Sequence, residues 1–244
     1  MKPAGWRRVV RLPLALLPAE ADLPILRGPA RGCRWIVGSA PHGAWLGSLE
    51  RDKLARFAAA LQSGATVWDV GANVGLFTLP AALGVGPAGR VVAFEPFPAN
   101  LDFLDRHVAL NGLSNVTVVR AAVGAEDGWL TMSEGSSPSE FHADPTGAWR
   151  LPTVGLDAWR SASSAEAPAV VKIDVEGAEA EVLAGGAATF AEFHPTLFLA
   201  LHSEMAREAC GSYLSDWGYR ISSLDHEPPE RSVEWLAEYD PPHR

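Results

Sequence analysis

The chain has 244 residues, of which 48% are hydrophobic and 20% are charged, so it is long enough to bury one sizeable core. Its formal net charge of −9 argues against binding to a nucleic-acid backbone or to an anionic membrane surface. No apolar run approaches the roughly 18 to 20 residues of a membrane span, so none is predicted.

Residues 1–48 are predicted to form an N-terminal segment that covers the rest of the chain. Within it, Trp6–Ala21 superficially resembles a secretory signal, because two arginines precede an apolar stretch and small residues follow it. Pro13 and Pro18 interrupt this stretch, and its apolar core is shorter than such signals need. We therefore expect an irregular segment rather than an export signal.

The two cysteines bear on the cellular compartment. Cys33 and Cys210 lie far apart and belong to no C-x-x-C motif or Cys/His cluster. This usage favours reduced thiols over a disulfide framework or a zinc site, and it predicts a cytoplasmic protein.

Residues 49–244 alternate short apolar runs with helical patterns, which predicts a parallel sheet with crossover helices. The first elements are a helix over Leu49–Leu61, a strand over Thr66–Val70, a helix over Leu76–Leu83, a strand over Arg90–Glu95, a helix over Asn100–Leu110 and a strand over Val116–Ala122. A hairpin and loop are predicted to be inserted at about residues 124–156. The later elements are a strand over Ala169–Val175, a helix over Gly177–Leu183, a strand over Thr196–His202, a helix over Glu204–Trp217 and a closing hairpin of Gly218–Ser223 and Val233–Tyr239.

The glycine-rich turn after the strand Thr66–Val70 is the most informative segment. Its sequence from Gly71 to Gly75 has neither the G-x-G-x-x-G spacing of dinucleotide sites nor the Lys-Ser/Thr of a P-loop. Glu95 ends the next strand, where an acid can accept hydrogen bonds from ribose hydroxyls. A cofactor with a ribose but no phosphate fits this pattern, and S-adenosylmethionine is the common one. An ordinary tight turn is the alternative.

Polar side chains lie at the carboxyl ends of four of the five predicted parallel strands. They are Asp69, Glu95, Asp174 with Glu176, and His202, whereas the third strand ends at Ala122 and Val123. Because these strand ends meet at one edge of the sheet, the polar groups are predicted to converge on a ligand site. Polar residues also emerge into solvent at strand ends, which is the alternative.

The segment from Lys172 to Glu176 alternates charged with apolar residues. In a strand, this alternation would place Lys172, Asp174 and Glu176 on one face beside the proposed cofactor. A structural ion pair of Lys172 with either acid is the alternative.

Together these segments resemble the class I S-adenosylmethionine-dependent methyltransferases of the FkbM type. The matching segments are Trp68–Gly75, Ala93–Pro96, Ala121–Gly124 and Lys172–Glu179. The resemblance implies a Rossmann-like, doubly wound, seven-stranded and mostly parallel sheet with helices on both faces. It also implies methyl transfer to an oxygen, often a hydroxyl of a sugar or natural product.

The resemblance further implies roles for individual residues. The methionine part of the cofactor would be held by Asp69, Gly71, Asn73 and Gly75, the ribose hydroxyls by Glu95, and the adenine edge by the backbone of Ala122 and Val123. His202, whose unperturbed pKa lies near neutrality, and Asp174 are the candidate bases. Lys172 and Glu176 would orient the acceptor or Asp174. Many relatives carry an acid two residues before the histidine, where this chain has Ala200.

Three other functions fit parts of the pattern. A nicotinamide dehydrogenase would also place an acid on a ribose, although the glycine spacing argues against it. A metal-dependent enzyme could use Asp174, Glu176 and His202 as ligands, although no metal is predicted here. A protein that binds the cofactor or a partner without turnover is the third, because of Ala200.

The acceptor is expected to be a sugar or another small molecule, and the sequence does not identify it further. Its specificity would depend on the N-terminal segment and the loop Ser133–Arg150, where Phe141, His142 and Trp149 could stack on a ring. The oligomeric state has no signal in the sequence.

Overall fold

The computed structural model describes residues 14–134, 141–143, 147–225 and 227–241. Its strands are β1 (Asp22–Pro24), β2 (Arg34–Ile36), β3 (Thr66–Val70), β4 (Arg90–Phe94), β5 (Val116–Val119), β6 (Ala122–Gly124), β7 (Gly128–Glu134), β8 (Phe141–Ala143), β9 (Trp149–Gly155), β10 (Val170–Ile173), β11 (Thr196–Ala200), β12 (Tyr219–Ser223) and β13 (Glu234–Tyr239). Its helices are α1 (Gly43–Leu46), α2 (Arg51–Ala60), α3 (Thr78–Val85), α4 (Pro98–Leu110), α5 (Leu156–Ser163), α6 (Glu179–Gly185), α7 (Ala187–Phe193) and α8 (Glu204–Asp216).

The main sheet has seven strands in the order β12-β13-β11-β10-β3-β4-β5. Strands β11, β10, β3, β4 and β5 pair in parallel, and only the hairpin partner β13 pairs antiparallel with its neighbours β11 and β12. This confirms the predicted seven-stranded, mostly parallel sheet. The carboxyl ends of β3, β4, β10 and β11 therefore lie at one edge.

The central strands are buried on both faces because helices cover each side of the sheet. All five residues of β3 and all four of β10 are buried. Trp68 and Val171 pack with residues of α6, α7 and α8, whereas Val67 and Val170 pack with residues of α2 and α3. Each such buried apolar side chain contributes about 1.5 to 3 kcal/mol, so the two helix layers hold the sheet rigid.

The predicted third strand was wrong in its extent. We expected one strand over Val116–Ala122, but β5 ends at Val119 and β6 begins at Ala122 in a different sheet. The chain bends at Ala121, directly after the exposed Arg120, and Ala121 and Val123 are buried again. Apolar residues therefore continue beyond Arg120 in the sequence although the strand does not.

The inserted region forms a second sheet of four strands in the order β6-β9-β7-β8. Its core is the antiparallel pair β7 and β9, and β6 pairs in parallel with β9. Helix α5 follows β9 directly. Trp159 of this helix packs edge-on against Trp68 of β3 and Phe94 of β4, which anchors the helix on the main sheet.

The described part of the N-terminal segment contains the antiparallel pair β1 and β2, and Trp35 packs in an apolar cluster that also includes Val74 and Leu79. The imidazole of His107 joins this pair to the glycine-rich turn. Its Nδ1 lies 2.7 Å from the backbone oxygen of Val74, and its Nε2 accepts a hydrogen bond of 2.9 Å from the Ile36 N–H. Burial lowers the pKa of His107 to about 4, so the ring is neutral. Residues 1–13, which include half of the signal-like stretch Trp6–Ala21, lie outside the described chain.

None of the helices among the described residues has both the length and the apolar character that crossing a bilayer requires.

Candidate active site

The glycine-rich turn sits directly against the end of β10. Gly71 has a φ of +76°, and a Cβ at this position would lie 1.9 Å from the backbone oxygen of Asp174. Glycine is therefore required both by the left-handed backbone and by the close approach. Gly75 also has a positive φ, and a Cβ there would lie 2.9 Å from Leu104. This packing brings the turn and Asp174 to the same edge.

Glu95 directly follows β4 and is bonded to the glycine-rich turn. Its Oε2 accepts a hydrogen bond of 2.8 Å from the Asn73 N–H, where Asn73 itself has a φ of +50°. Its Oε1 accepts from the Phe97 N–H at 3.0 Å and from Asn100 Nδ2 at 3.1 Å. Burial raises the pKa of Glu95, although these three hydrogen bonds partly offset the effect. A carboxylate oxygen has two lone pairs, so Oε2 can accept a further hydroxyl.

Lys172 holds the turn from the inside. Its Nζ donates a hydrogen bond of 2.6 Å to the backbone oxygen of Gly71 and lies 3.6 Å from Asp69 Oδ1. The other oxygen, Asp69 Oδ2, accepts a hydrogen bond of 2.6 Å from Thr78 Oγ1 at the start of α3. The Lys172 side chain is only 5% exposed. This burial favours a role in shaping the turn over direct contact with an acceptor.

Asp174, Glu176 and His202 come together at the open side of this edge. His202 Nε2 lies 3.6 Å from Asp174 Oδ1 and 3.4 Å from Glu176 Oε2. The side chains of these three residues are 25%, 46% and 31% exposed in that order, so the group faces solvent. Each residue offers one ligand atom within 4.8 Å of the others, a geometry that could also hold a metal ion.

The cluster does not form as the strand pattern predicted. Strand β10 ends at Ile173, and the chain then turns with a φ of +56° at Glu176. Asp174 and Glu176 therefore reach His202 from a turn rather than from one face of a strand. Burial raises the pKa of Asp174, but the positive charges of Lys172 and Lys53 outweigh it and hold that pKa below its usual value.

Glu179 is the principal residue of this site to which the sequence pattern assigned no role. It is the first residue of α6 and is fully buried, and its Oε1 lies 2.8 Å from His202 Nδ1. This hydrogen bond raises the pKa of His202, and the charges of Asp174 and Glu176 act in the same direction. The only sequence signal was its place in the block that contains Lys172 and Asp174.

A partly buried ion pair lies beside Ala200. Glu234 of β13 is the register partner of Ala200 in β11, and Glu234 Oε2 lies 2.7 Å from Lys53 Nζ. Lys53 is 7% exposed and comes from α2, far away in sequence. The neighbouring strand therefore supplies a carboxylate next to the position at which this chain has alanine. No local pattern marks this contact.

The remaining predicted residues are less closely joined to the site. Ala122 and Val123 lie just beyond the end of β5, in β6, where they face Thr153 and Val154 of β9. The side chains of Phe141 and His142 lie outside the described part of the chain, whereas Trp149 is described and is 39% exposed.

The profile of the Methyltransferase FkbM domain family matches residues 69–221, which is more than half of the chain. A curated relative, "Methyltransferase sdnD" from Sordaria araneosa, is 37% identical over 76 residues. That match covers 31% of this chain and 29% of the relative.

Among solved structures, this chain is similar to methyltransferase FkbM from Methylobacillus flagellatus KT. The TM-score is 0.53 at 21% sequence identity, and the match covers 81% of this chain but only 53% of the other. The chain thus spans about half the length of that protein, and the likeness shows that the fold is shared.

Proposed function

Because this chain belongs to the FkbM methyltransferase domain family, we propose that it transfers a methyl group from S-adenosylmethionine to a hydroxyl oxygen. The acceptor class we propose is a sugar, a natural product or another small molecule. The observation that carries the proposal is the arrangement of a closed glycine turn beside an exposed His202–Asp174–Glu176 group at one sheet edge.

The proposed cofactor site is the buried side of this edge. Asp69 and the turn of Gly71, Asn73 and Gly75 would hold the methionine part, and the free acceptor position of Glu95 Oε2 fits a ribose hydroxyl. The backbone of Ala122 and Val123 would contact the adenine edge. The absence of the pyrophosphate-binding glycine spacing fits a cofactor without phosphates and weakens the dehydrogenase alternative.

The proposed acceptor site is the exposed side. When bound, S-adenosylmethionine supplies an already activated methyl group on a sulfonium, so the chain must position the acceptor, exclude water and remove a proton. Positioning can contribute on the order of 7 to 11 kcal/mol in ideal cases, and a general base typically adds about 10² to 10⁴ in rate. His202 is the proposed base, and Asp174 with Glu176 would orient the acceptor hydroxyl.

Methyl transfer is tested with S-adenosylmethionine carrying a labelled methyl group and a panel of sugar and natural-product hydroxyls. We expect label in a product with an acid-stable ether, and S-adenosylhomocysteine in equal amount. The variant His202→Asn is expected to lower kcat by about 10² or more with unchanged cofactor affinity, because only the proton acceptor is lost. Cofactor binding with no transfer to any acceptor would instead favour a binding protein without turnover.

Metal-assisted transfer is a second candidate, favoured by the ligand geometry of Asp174, Glu176 and His202. The other ring nitrogen of His202, Nδ1, also lies 2.8 Å from a carboxylate oxygen of Glu179, an arrangement that is common for metal-bound histidines. Against it, the ammonium of Lys172 already lies 3.8 Å from Asp174 Oδ2. Loss of turnover in a chelator and its recovery with Mg²⁺ or Mn²⁺ would favour the metal; turnover that the chelator leaves unchanged would favour His202 as the base.

We also propose a cytoplasmic location, supported by two free, buried cysteines, Cys33 and Cys210.

A further inference from the structure

The imidazole of His202 is held at one nitrogen by a fully buried carboxylate. Glu179 Oε1 lies 2.8 Å from His202 Nδ1, and Glu179 is 0% exposed. The contact differs from those at the other ring nitrogen, where the nearest carboxylate oxygens lie at 3.4 and 3.6 Å and are partly exposed.

Rigid elements fix both partners of this bond. The left-handed residues Glu176 and Gly177, with φ of +56° and +112°, turn the chain so that the Gly177 N–H donates to the same Glu179 Oε1 at 2.9 Å. On the other side, Ser203 caps α8 directly after His202 by accepting from the Ala206 N–H at 3.0 Å. The helices α6 and α8 pack in one apolar cluster, so the two ends of the bond cannot drift apart easily.

The buried bond decides which nitrogen of the ring carries the proton. An ionised carboxylate can only accept hydrogen bonds, so His202 Nδ1 carries the hydrogen and donates it. The lone pair of the neutral ring is then on Nε2, the atom that faces Asp174 and Glu176 at the open edge. The orientation of the ring thus presents its basic nitrogen to the proposed acceptor site.

Building on the proposed methyl transfer, we propose that Glu179 is a positioning residue that fixes the tautomer of His202 and strengthens its Nε2 as a proton acceptor. The oxygen–carbon bond forms as the carbon–sulfur bond breaks, and the electron pair of the broken bond stays on sulfur. The proton of the acceptor hydroxyl passes to His202 Nε2. The resulting imidazolium is stabilised by the buried charge of Glu179, with which it forms a charge-assisted hydrogen bond.

The charged groups around His202 set the expected pH dependence. Glu179 faces the ring from α6, Asp174 and Glu176 face it from the turn after β10, and Lys172 and Lys53 act on Asp174 from behind. The hydrogen bond to Glu179 is the largest influence that raises the pKa of His202. Removing the charge of Glu179 should therefore lower that pKa, so the ring loses its proton at a lower pH.

Nuclear magnetic resonance of the ring of His202 tests the bond without an acceptor. The chain has seven histidines, and comparison with His202→Asn identifies the signal of this one. In the wild-type protein, the ¹⁵N shifts above the titration midpoint should report a neutral ring protonated at Nδ1. In Glu179→Gln, the midpoint should move to lower pH, whereas Glu181→Gln, an exposed acid on the same helix, should leave it unchanged.

Kinetics then test the consequence for turnover. We expect Glu179→Gln to lower kcat by about 10-fold or more, to move the acid limb of the kcat profile to lower pH, and to leave the Kd of the cofactor within about twofold. Glu179→Asp keeps the charge and should retain more activity than Glu179→Gln. A merely structural role would lower stability and cofactor affinity without moving the acid limb.

The outcomes separate this proposal from the proposed function. A wild-type ring protonated at Nε2, or a midpoint that does not fall in Glu179→Gln, overturns the role of Glu179 even if methyl transfer occurs. An Nδ1 tautomer and a lowered midpoint in a protein that transfers no methyl group support the bond and overturn the methyltransferase function. If Glu179→Gln fails to fold, the proposal is still tested by the tautomer of His202 in the wild-type protein and by the pH profile of kcat for Glu179→Asp.

Discussion

The two sides of the candidate cleft are held by different kinds of interaction. On the buried side, Asn73 and Glu95 are joined by a hydrogen bond of 2.8 Å, and Lys172 bonds the carbonyl of Gly71 at 2.6 Å. On the exposed side, His202 Nε2 lies 3.4 Å from Glu176 Oε2 and 3.6 Å from Asp174 Oδ1, and the three side chains are 25% to 46% exposed. The first side is closed by short bonds to backbone, and the second is open to water.

The difference indicates which side is fixed before ligands bind. Short hydrogen bonds in a buried region keep their geometry, whereas partly exposed ion pairs contribute little and rearrange easily. We infer that the turn is prepared for one cofactor, and that the exposed group can adapt to an acceptor. Glu179 brings a hydrogen bond from a buried group to the exposed side, because its fully buried carboxylate lies 2.8 Å from His202 Nδ1.

The largest expected effect comes from Gly71→Ala, which disrupts the close backbone contact between Gly71 and Asp174, where the two sides of the cleft meet. Its Cβ would overlap the backbone oxygen of Asp174, and alanine is strained at this positive φ. We expect a loss of about 2 to 4 kcal/mol in the free energy of unfolding, measured by urea titration, together with loss of cofactor binding. Gly64→Ala is the control, because Gly64 has a φ of +83° with nothing within 4 Å, and it should cost only about 1 kcal/mol. Equal costs for the two variants would contradict the close approach at Gly71.

A smaller effect is expected from Glu95→Gln, which changes the buried side alone. The amide retains the shape but replaces one carboxylate oxygen with an NH2 group, which only donates hydrogen bonds. That NH2 must then meet either the donors at Oε2, which are Asn73 and the ribose hydroxyl, or the donors at Oε1, which are Phe97 and Asn100. Calorimetric titration should show a 10- to 100-fold weaker Kd for S-adenosylmethionine, since a hydrogen bond to a charged group contributes about 1.5 to 3 kcal/mol. The exposed Glu192 serves as the matched control, and Glu192→Gln should leave Kd unchanged. An unaltered Kd in Glu95→Gln would remove Glu95 from the cofactor site.

The smallest effect is the acid sensitivity that His107 gives to the buried side. The folded pKa of His107 is about 4, against 6.5 for the free side chain, so between these values only the unfolded chain binds the proton. Stability from this site is therefore complete above about pH 6.5 and is lost as the pH falls towards 4, by roughly 1 to 2 kcal/mol at pH 5. Urea unfolding at pH 7.5 and pH 5 should show this loss in the wild-type protein and a smaller one in His107→Gln. The same loss in both proteins would show that another group is responsible.

Much of the buried side could be predicted from the sequence. The strands β3 and β10 are short, mostly apolar segments, and the positions of Gly71, Asn73 and Glu95 follow from glycine chemistry and from strand ends. These signals are local, because the residues that form the turn are neighbours in sequence. The bend at Ala121 was missed since apolar residues lie on both sides of it in the sequence.

The sequence predicted which charged residues form the exposed side, but not the backbone turn and the long-range contacts that bring them together. The charges of Asp174 and Glu176 meet His202 through a left-handed turn, which an alternating pattern does not reveal. The bond from Glu179 to His202 and the ion pair from Lys53 to Glu234 join residues 23 and 181 positions apart. Such contacts depend on how helices pack on the finished sheet, so no spacing in the sequence could indicate them.

The most direct test of the central claim is calorimetric titration of the wild-type protein with S-adenosylmethionine, S-adenosylhomocysteine and NAD(H). The account predicts that the first two bind with a Kd in the micromolar range and that NAD(H) does not, because the turn lacks a pyrophosphate site. Binding of NAD(H) alone, or of none of the three, would contradict the assignment of the buried side as an S-adenosylmethionine site.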